Sequence, residues 1–227
     1  AVYNVGDTEM SAISGNFIAN YAKADYSGAY GGAVANFEGP EIRKIDSNFI
    51  GNYAKGNYAE GGAISNYYDT TIDEIDGHYV QNEAVATNYN AYGGAISNSY
   101  NSVIKELKGT YAGNRAWGEN REAYGGAVSN FGGGQINKID ATFNGNTAQG
   151  DYAEGGAIAN DTQSSLGDVQ ADFILNRAIA RNDEAYGGAI SNVYGANIEH
   201  LSGKFEGNEA VSESADAFGG AIYNGGE

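Results

Sequence analysis

The sequence reads as all-β: a solenoid of parallel strands completing one turn every 30–32 residues, about seven turns over residues 1–227. Three observations carry this. Two short motifs alternate down the whole chain. Their spacing is nearly invariant. The composition, with 35 Gly, 26 Asn, 18 Tyr, one Pro and only four Leu, suits corners and strands better than helices.

The first motif, Gly-Gly-Ala-(Ile/Val)-x-Asn, begins at Gly31, Gly61, Gly93, Gly125, Gly155, Gly187 and Gly219. The second, aromatic-x-x-Asn-x-Ala, begins at Phe17, Phe49, Tyr79, Tyr111, Phe143, Phe173 and Phe205. Each Gly is followed by the next aromatic after 18 residues, whereas the return step is 14 or 12. Length variation is thus confined to one segment, which reads as a loop. A longer period of 94 residues carries Phe17, Phe49, Tyr79 and Tyr111 onto Tyr111, Phe143, Phe173 and Phe205, as if three-turn blocks had been duplicated.

Each turn is expected to hold three strands. The first is Gly-Ala-Ile-Ser-Asn, as at Gly94 to Asn98. The second carries an Ile-x-x-Ile pair, such as Ile42 and Ile45, with a bulge because a spacing of three breaks alternation. The third runs from the aromatic to its Asn, as in Phe49 to Asn52. Ile72, Ile75 and Tyr79 also have the i, i+3, i+7 spacing of an amphipathic helix. Their β-branched character, and the Gly, Ser, Asp or Ala that interrupts the equivalent segment of most turns, favour a strand. Stacked about 4.8 Å apart, seven turns make a rod of roughly 34 Å.

The columns that result are chemically coherent. The aromatics form one inward stack and the Ile/Val residues another. Ala22, Ala54, Ala84, Ala116, Ala148, Ala178 and Ala210 mark a place too tight for more. The paired Gly permit positive φ or close backbone approach. Fifteen of the 26 Asn fall in two columns. One is Asn4, Asn36, Asn66, Asn98, Asn130, Asn160, Asn192 and Asn224; the other is Asn20, Asn52, Asn82, Asn114, Asn146, Asn176 and Asn208. They are read as structural ladders, with Asn tolerating the left-handed conformation at a corner and stacked amides hydrogen-bonding from turn to turn.

The alternation of Gly61-Gly62-Ala63-Ile64 with Phe49-Ile50-Gly51-Asn52 resembles the polymorphic outer-membrane proteins of chlamydiae and Gly-rich passenger regions of bacterial autotransporter-type surface proteins. The resemblance covers essentially the whole chain, although the Ile-x-x-Ile spacing lies outside the two hallmark motifs. It implies a right-handed parallel β-helix displayed or secreted outside a bacterial cell, in an adhesive or structural role.

Charge and chemistry narrow the function. Twelve Lys and Arg against 29 Asp and Glu give a net charge of −17, a field that repels phosphate backbones and argues against nucleic acid. The chain has no Cys, hence no disulfide or thiolate site, and its apolar runs are too short for membrane insertion. The two histidines, His78 and His200, fall four turns or about 19 Å apart. The column Lys44, Glu74, Glu106, Lys138, Asp168, His200 reads as cross-turn charge pairing on a wet face. No phosphate loop, nucleophile elbow or zinc motif is present, so no catalytic residue and no cofactor is expected.

The segments before each Gly pair combine acids with aromatics and form the candidate partner-binding ridge, marked by Tyr26, Tyr58, Tyr89, Trp117, Tyr152, Asp183 and Glu184. Asp151, Glu154, Asp183 and Glu184 are the one set of acids from which a weak calcium site could be drawn. Ala1-Val2-Tyr3-Asn4 aligns with Ala127-Val128-Ser129-Asn130, so the chain starts and stops inside the same motif. That is expected of a piece of a longer array, of a mature start left by signal peptidase, or of copies stacking end to end. The expectation is a non-enzymatic extracellular stalk or adhesin segment meeting a host or neighbouring-cell protein or glycan. The alternatives are a secreted subunit that polymerises along its axis and a polysaccharide-active β-helix enzyme.

Overall fold

The computed structural model describes residues 1–226, in which every regular element is a strand. The strands pair in parallel with like over like. Ile64 lies between Val34 and Ile96, Phe49 beside Tyr79, and Ala84 between Ala54 and Ala116. This is a β-solenoid of about seven turns. The segment with helical spacing forms the strands Thr71–Asp76 and His78–Val80.

Each turn contributes to four sheets rather than three. The first contains the Gly-Gly-Ala strands, such as Val34–Phe37. The second contains long strands such as Glu41–Ile50, which carry the Ile pair and the aromatic together, so that in four turns the two strands expected there are one. A bend at the same place in both turns allows this. Ile42 and Ile45 are both buried, and the ladder to the next turn passes over Arg43 and Asp73 before ordinary alternation resumes toward Phe49. The third sheet begins just past the second ladder Asn and holds the Ala column, as in Tyr53–Gly56. The fourth consists of strands of two or three residues ending at the Gly pair, such as Ala91–Tyr92. Much of the expected loop is therefore strand, and the length variation is confined to the corner between the third and fourth sheets.

The Gly pair divides its labour. Gly61 has φ +65°, and a Cβ there would lie 1.9 Å from the Ile64 carbonyl oxygen. Gly62 has no such backbone need, but a Cβ there would lie 2.1 Å from the Gly94 carbonyl oxygen of the next turn. The ladder asparagines do not take the left-handed conformation expected of them. The residue before each of the second set does, as at Gln81, Gly113 and Leu175. The corner bends one residue early, which turns the amide inward.

Inside the main core the rings of Phe17, Phe49, Tyr79, Tyr111, Phe143, Phe173 and Phe205 form one stack, with successive centroids 4.7–5.1 Å apart. A second, narrower core between the third and fourth sheets is built from alanine alone, including Ala86, Ala91, Ala116 and Ala123. The Asn columns close the corners. Asn114 Nδ2 donates to Asn146 Oδ1 at 3.0 Å and to the Tyr79 carbonyl at 2.9 Å, while its Oδ1 accepts from Asn82 Nδ2 and the Asn82 backbone N–H. The other ladder runs likewise, Asn66 to Asn98 to Asn130 at 2.8 Å.

Two outcomes follow. The buried Tyr79 hydroxyl has no hydrogen-bond partner, whereas that of Tyr111 donates to the Lys108 carbonyl at 3.1 Å. Tyr79→Phe should leave urea stability unchanged or raised by about 1 kcal/mol, and Tyr111→Phe should lower it by about as much. Asn114→Asp sets an acceptor against the Tyr79 carbonyl and Asn146 Oδ1, and should lower stability by about 3 kcal/mol or more in the same assay.

Candidate functional site

The residue directly before each Gly pair is Tyr30, Glu60, Tyr92, Tyr124, Glu154, Tyr186 or Phe218, stacked in register along the fourth sheet. Across the corner lies the residue following each Asn of the first motif, including Phe37, Tyr67, Ser99, Phe131 and Asp161. The two columns interleave. Tyr30 meets Phe37 and Tyr67 edge-on at 5.2 and 5.0 Å, Tyr92 meets Tyr124 at 5.1 Å and Phe131 at 5.1 Å, and Tyr186 meets Phe218 at 5.3 Å. A continuous aromatic ridge runs along this edge of the rod.

Two glutamates interrupt the aromatic column, 94 residues apart. Glu60 is 2% exposed, and its Oε2 accepts from Ser97 Oγ at 3.1 Å and Ser99 Oγ at 2.8 Å. Burial drives its carboxyl from the ordinary 4.5 up to about 7, with the two serines partly opposing. Glu154 is fully buried, accepting from Ser191 Oγ at 3.0 Å on one oxygen and from the Tyr152 hydroxyl on the other. Burial, and then the nearby Asp161, push Glu154 up as well. Burial also raises Asp161 itself, and its hydrogen bonds to Thr162 restrain the rise.

Glu60 lines one small pocket, and a second lies at counterpart positions 94 residues on, without Glu154 in its lining. The first, of about 240 Å³, is lined by Tyr58, Glu60, Tyr89, Asn90, Tyr92 and Tyr100. The second, of about 170 Å³, includes Tyr152, Tyr186 and Tyr194, the counterparts of Tyr58, Tyr92 and Tyr100 at the 94-residue period.

The residues expected to form one ridge are divided. Tyr58 and Tyr89 share the first pocket and Tyr152 lines the second. Asp183 and Glu184 occupy the positions of Tyr89 and Asn90 one block later. Trp117 lies instead in the third sheet, in the strand Arg115–Gly118, with the Arg115 guanidinium 4.1 Å over its ring. Tyr26 is 93% exposed and lines neither pocket. The ridge reading counted Glu60 only among the loop acids and Tyr92 only as packing beside the Gly pair, and it did not include Tyr100. Their signal was the aromatic residues flanking the first motif, as in Asn98-Ser99-Tyr100.

The four acids considered for calcium do not converge. Asp151 pairs with Arg181 at 3.1 Å and accepts from Asn182 at 2.8 Å, while Glu154 is buried under Tyr152 and Ser191. Among the described residues no group of three or more His, Cys, Asp or Glu side chains could hold a metal ion. His78 pairs with Thr110 and His200 with Asp168, in different columns. The charge column is in register, with Lys44–Glu74 at 3.4 Å and Lys138–Glu106 at 2.8 Å. The second sheet carries an open groove of about 540 Å³, lined by small and polar residues such as Gly109, Asp140, Ala141 and Asp172, with no Lys, Arg or His.

Comparison of the chain with protein-family models, with curated proteins and with solved structures gives no match.

The buried acids make stability depend on pH. Glu60 in the folded chain holds its proton up to about pH 7, whereas an unfolded carboxyl releases it near 4.5. The folded state thus binds more protons between these values, and its stability falls as pH rises through that window. For Glu60 the loss is about 3 kcal/mol, complete above pH 7. Urea unfolding at pH 5 and pH 8 should show Glu60→Gln with a shallower decline than the wild type.

Proposed function

We propose that the chain is a non-enzymatic segment of a bacterial surface protein, an extracellular β-helical stalk or adhesin of the autotransporter-passenger type. It presents its aromatic edge to a protein or glycan on a host or neighbouring cell. The observation that carries this reading is the ridge itself. Tyr68 is 52% exposed and Tyr194 51%, both two residues past an Asn of the first motif, and Tyr89, 59% exposed, joins Tyr100 of that column at the first pocket, on a rod whose second sheet bears paired charges. Aligned tyrosines offer large, amphipathic contact area with few rotatable bonds, as recognition surfaces do. The repeat resemblance to autotransporter passengers points the same way.

A subunit that stacks end to end is the second reading. It draws on the strict register, since Ile222 lies over Ile190 as Ile64 lies over Val34. Negative-stain images of the isolated chain should show short separate rods; long uniform fibres would favour the stacking subunit. Beads coated with the chain should attach to cells of the recognised type, and the triple variant Tyr89→Ser, Tyr100→Ser, Tyr194→Ser should reduce attachment at least tenfold. Equal attachment by the variant would remove the ridge from the reading.

A further inference from the structure

We infer that the pocket around Tyr58, Tyr89, Tyr92 and Tyr100 is an aromatic cage for a methylated ammonium group, with Glu60 as its counter-charge, and that the Tyr152, Tyr186 and Tyr194 pocket is its repeat one 94-residue block along the rod. The inference rests on the ridge being the binding edge and supplies the chemical class of what it binds.

The first argument is composition. The first pocket gathers four tyrosine rings, a buried carboxyl and an amide, and neither pocket is lined by a Lys or Arg. At the mouth of the first, Asn90 Nδ2 donates to Glu122 Oε2 at 2.9 Å, and the Tyr124 hydroxyl donates to the same oxygen at 2.5 Å. A second acid thus stands at the rim. Ring faces and carboxylates attract cations, and a net charge of −17 adds to the local field.

The second argument is valence. Ser97 and Ser99 both donate to Glu60 Oε2. The amide N–H of Asn90 is directed to Glu122. A primary ammonium brings three N–H donors that must each find an acceptor once it leaves water. A quaternary ammonium has none and presents methyl groups to ring faces. Aromatic and anionic surroundings favour the methylated form.

The third argument is backbone. Tyr100 and Tyr194 sit at a corner in the left-handed conformation, with φ 53° and 50°. The same corner is built in another turn from Gly132 and Gly133, φ 63° and 80°. The corner is left-handed in other turns too, at Glu38, Tyr68 and Thr162, and at the two pockets it carries a tyrosine.

Glu60 must be ionised to serve as counter-charge. The groups facing it are the Ser97 and Ser99 hydroxyls and the tyrosines Tyr30, Tyr58, Tyr67, Tyr92 and Tyr100. All five phenols are held above their ordinary value, chiefly by burial, so Glu60 is the one that titrates near neutrality. Cation binding should therefore strengthen as pH rises from 6 to 8.

The test is an NMR titration of the whole chain with choline, its neutral isostere 3,3-dimethylbutanol, Nα-acetyl-lysine and methyl glucoside. Choline should bind at least about tenfold more tightly than any of the others, with affinity growing from pH 6 to 8. Tyr92→Ala should weaken choline about tenfold. Glu60→Gln keeps the shape and an acceptor for the serines, and should weaken choline similarly at pH 8 while abolishing the pH dependence at that pocket. Equal binding of the neutral isostere, tighter binding of the lysine or the sugar, or an unchanged Glu60→Gln profile would each overturn the proposal. Cell attachment without choline binding would discard the cage and keep the adhesive ridge; choline binding without attachment would do the reverse.

Discussion

Everything in this molecule is subordinate to the distance between one turn and the next. A parallel ladder fixes that spacing near 4.8 Å, and each column must be filled by side chains that tolerate a copy of themselves at that separation. Flat rings satisfy it by stacking, with centroids 4.7–5.1 Å apart. Amides satisfy it because an Asn carries donor and acceptor on opposite sides and can pass hydrogen bonds along the axis, as Asn52, Asn82, Asn114 and Asn146 do. A carboxylate column has no such solution. The exposed one is interrupted by lysine, with Lys44 beside Glu74, Lys138 beside Glu106 and Lys108 bridging the two glutamates, and the buried Glu60 and Glu154 each have a tyrosine as neighbour on either side.

That rule explains how much was legible in the sequence. Residues that recur in every turn announced themselves: the Gly pair, the aromatic stack, both Asn columns and the tight Ala column all hold the places their spacing assigned. What escaped notice was short or irregular. A strand of two residues such as Ala91–Tyr92 has no periodicity to read, so the fourth sheet was hidden inside an apparent loop. The left-handed corner was attributed to Asn, the residue best known for tolerating it, although Gln81 and Leu175 bear it instead. Those positions vary freely because their side chains point away from the core.

The buried acids were illegible for a different reason. In the sequence Glu60 is one more acid in an acidic segment, and the serines that cover it lie 37 and 39 residues later. Only the fold brings Ser97 and Ser99 over it. The second instance, Glu154 with Ser191, arises from the duplicated block, but with Val193 in the place of Ser99 and Asp161 in the place of Tyr67. The two pockets are thus related by descent of the repeat while their electrostatics have diverged.

The corner between the third and fourth sheets has a consequence of its own. It joins Gly56 to Tyr58 through a single residue in one turn and Ala86 to Ala91 through four in the next, and the flanking ladders keep their register across both. The stack does not sense what is spliced in there. Foreign peptide grafted at Thr87–Asn90 would be carried outward as a display loop, so the scaffold can acquire new surface without renegotiating its interior.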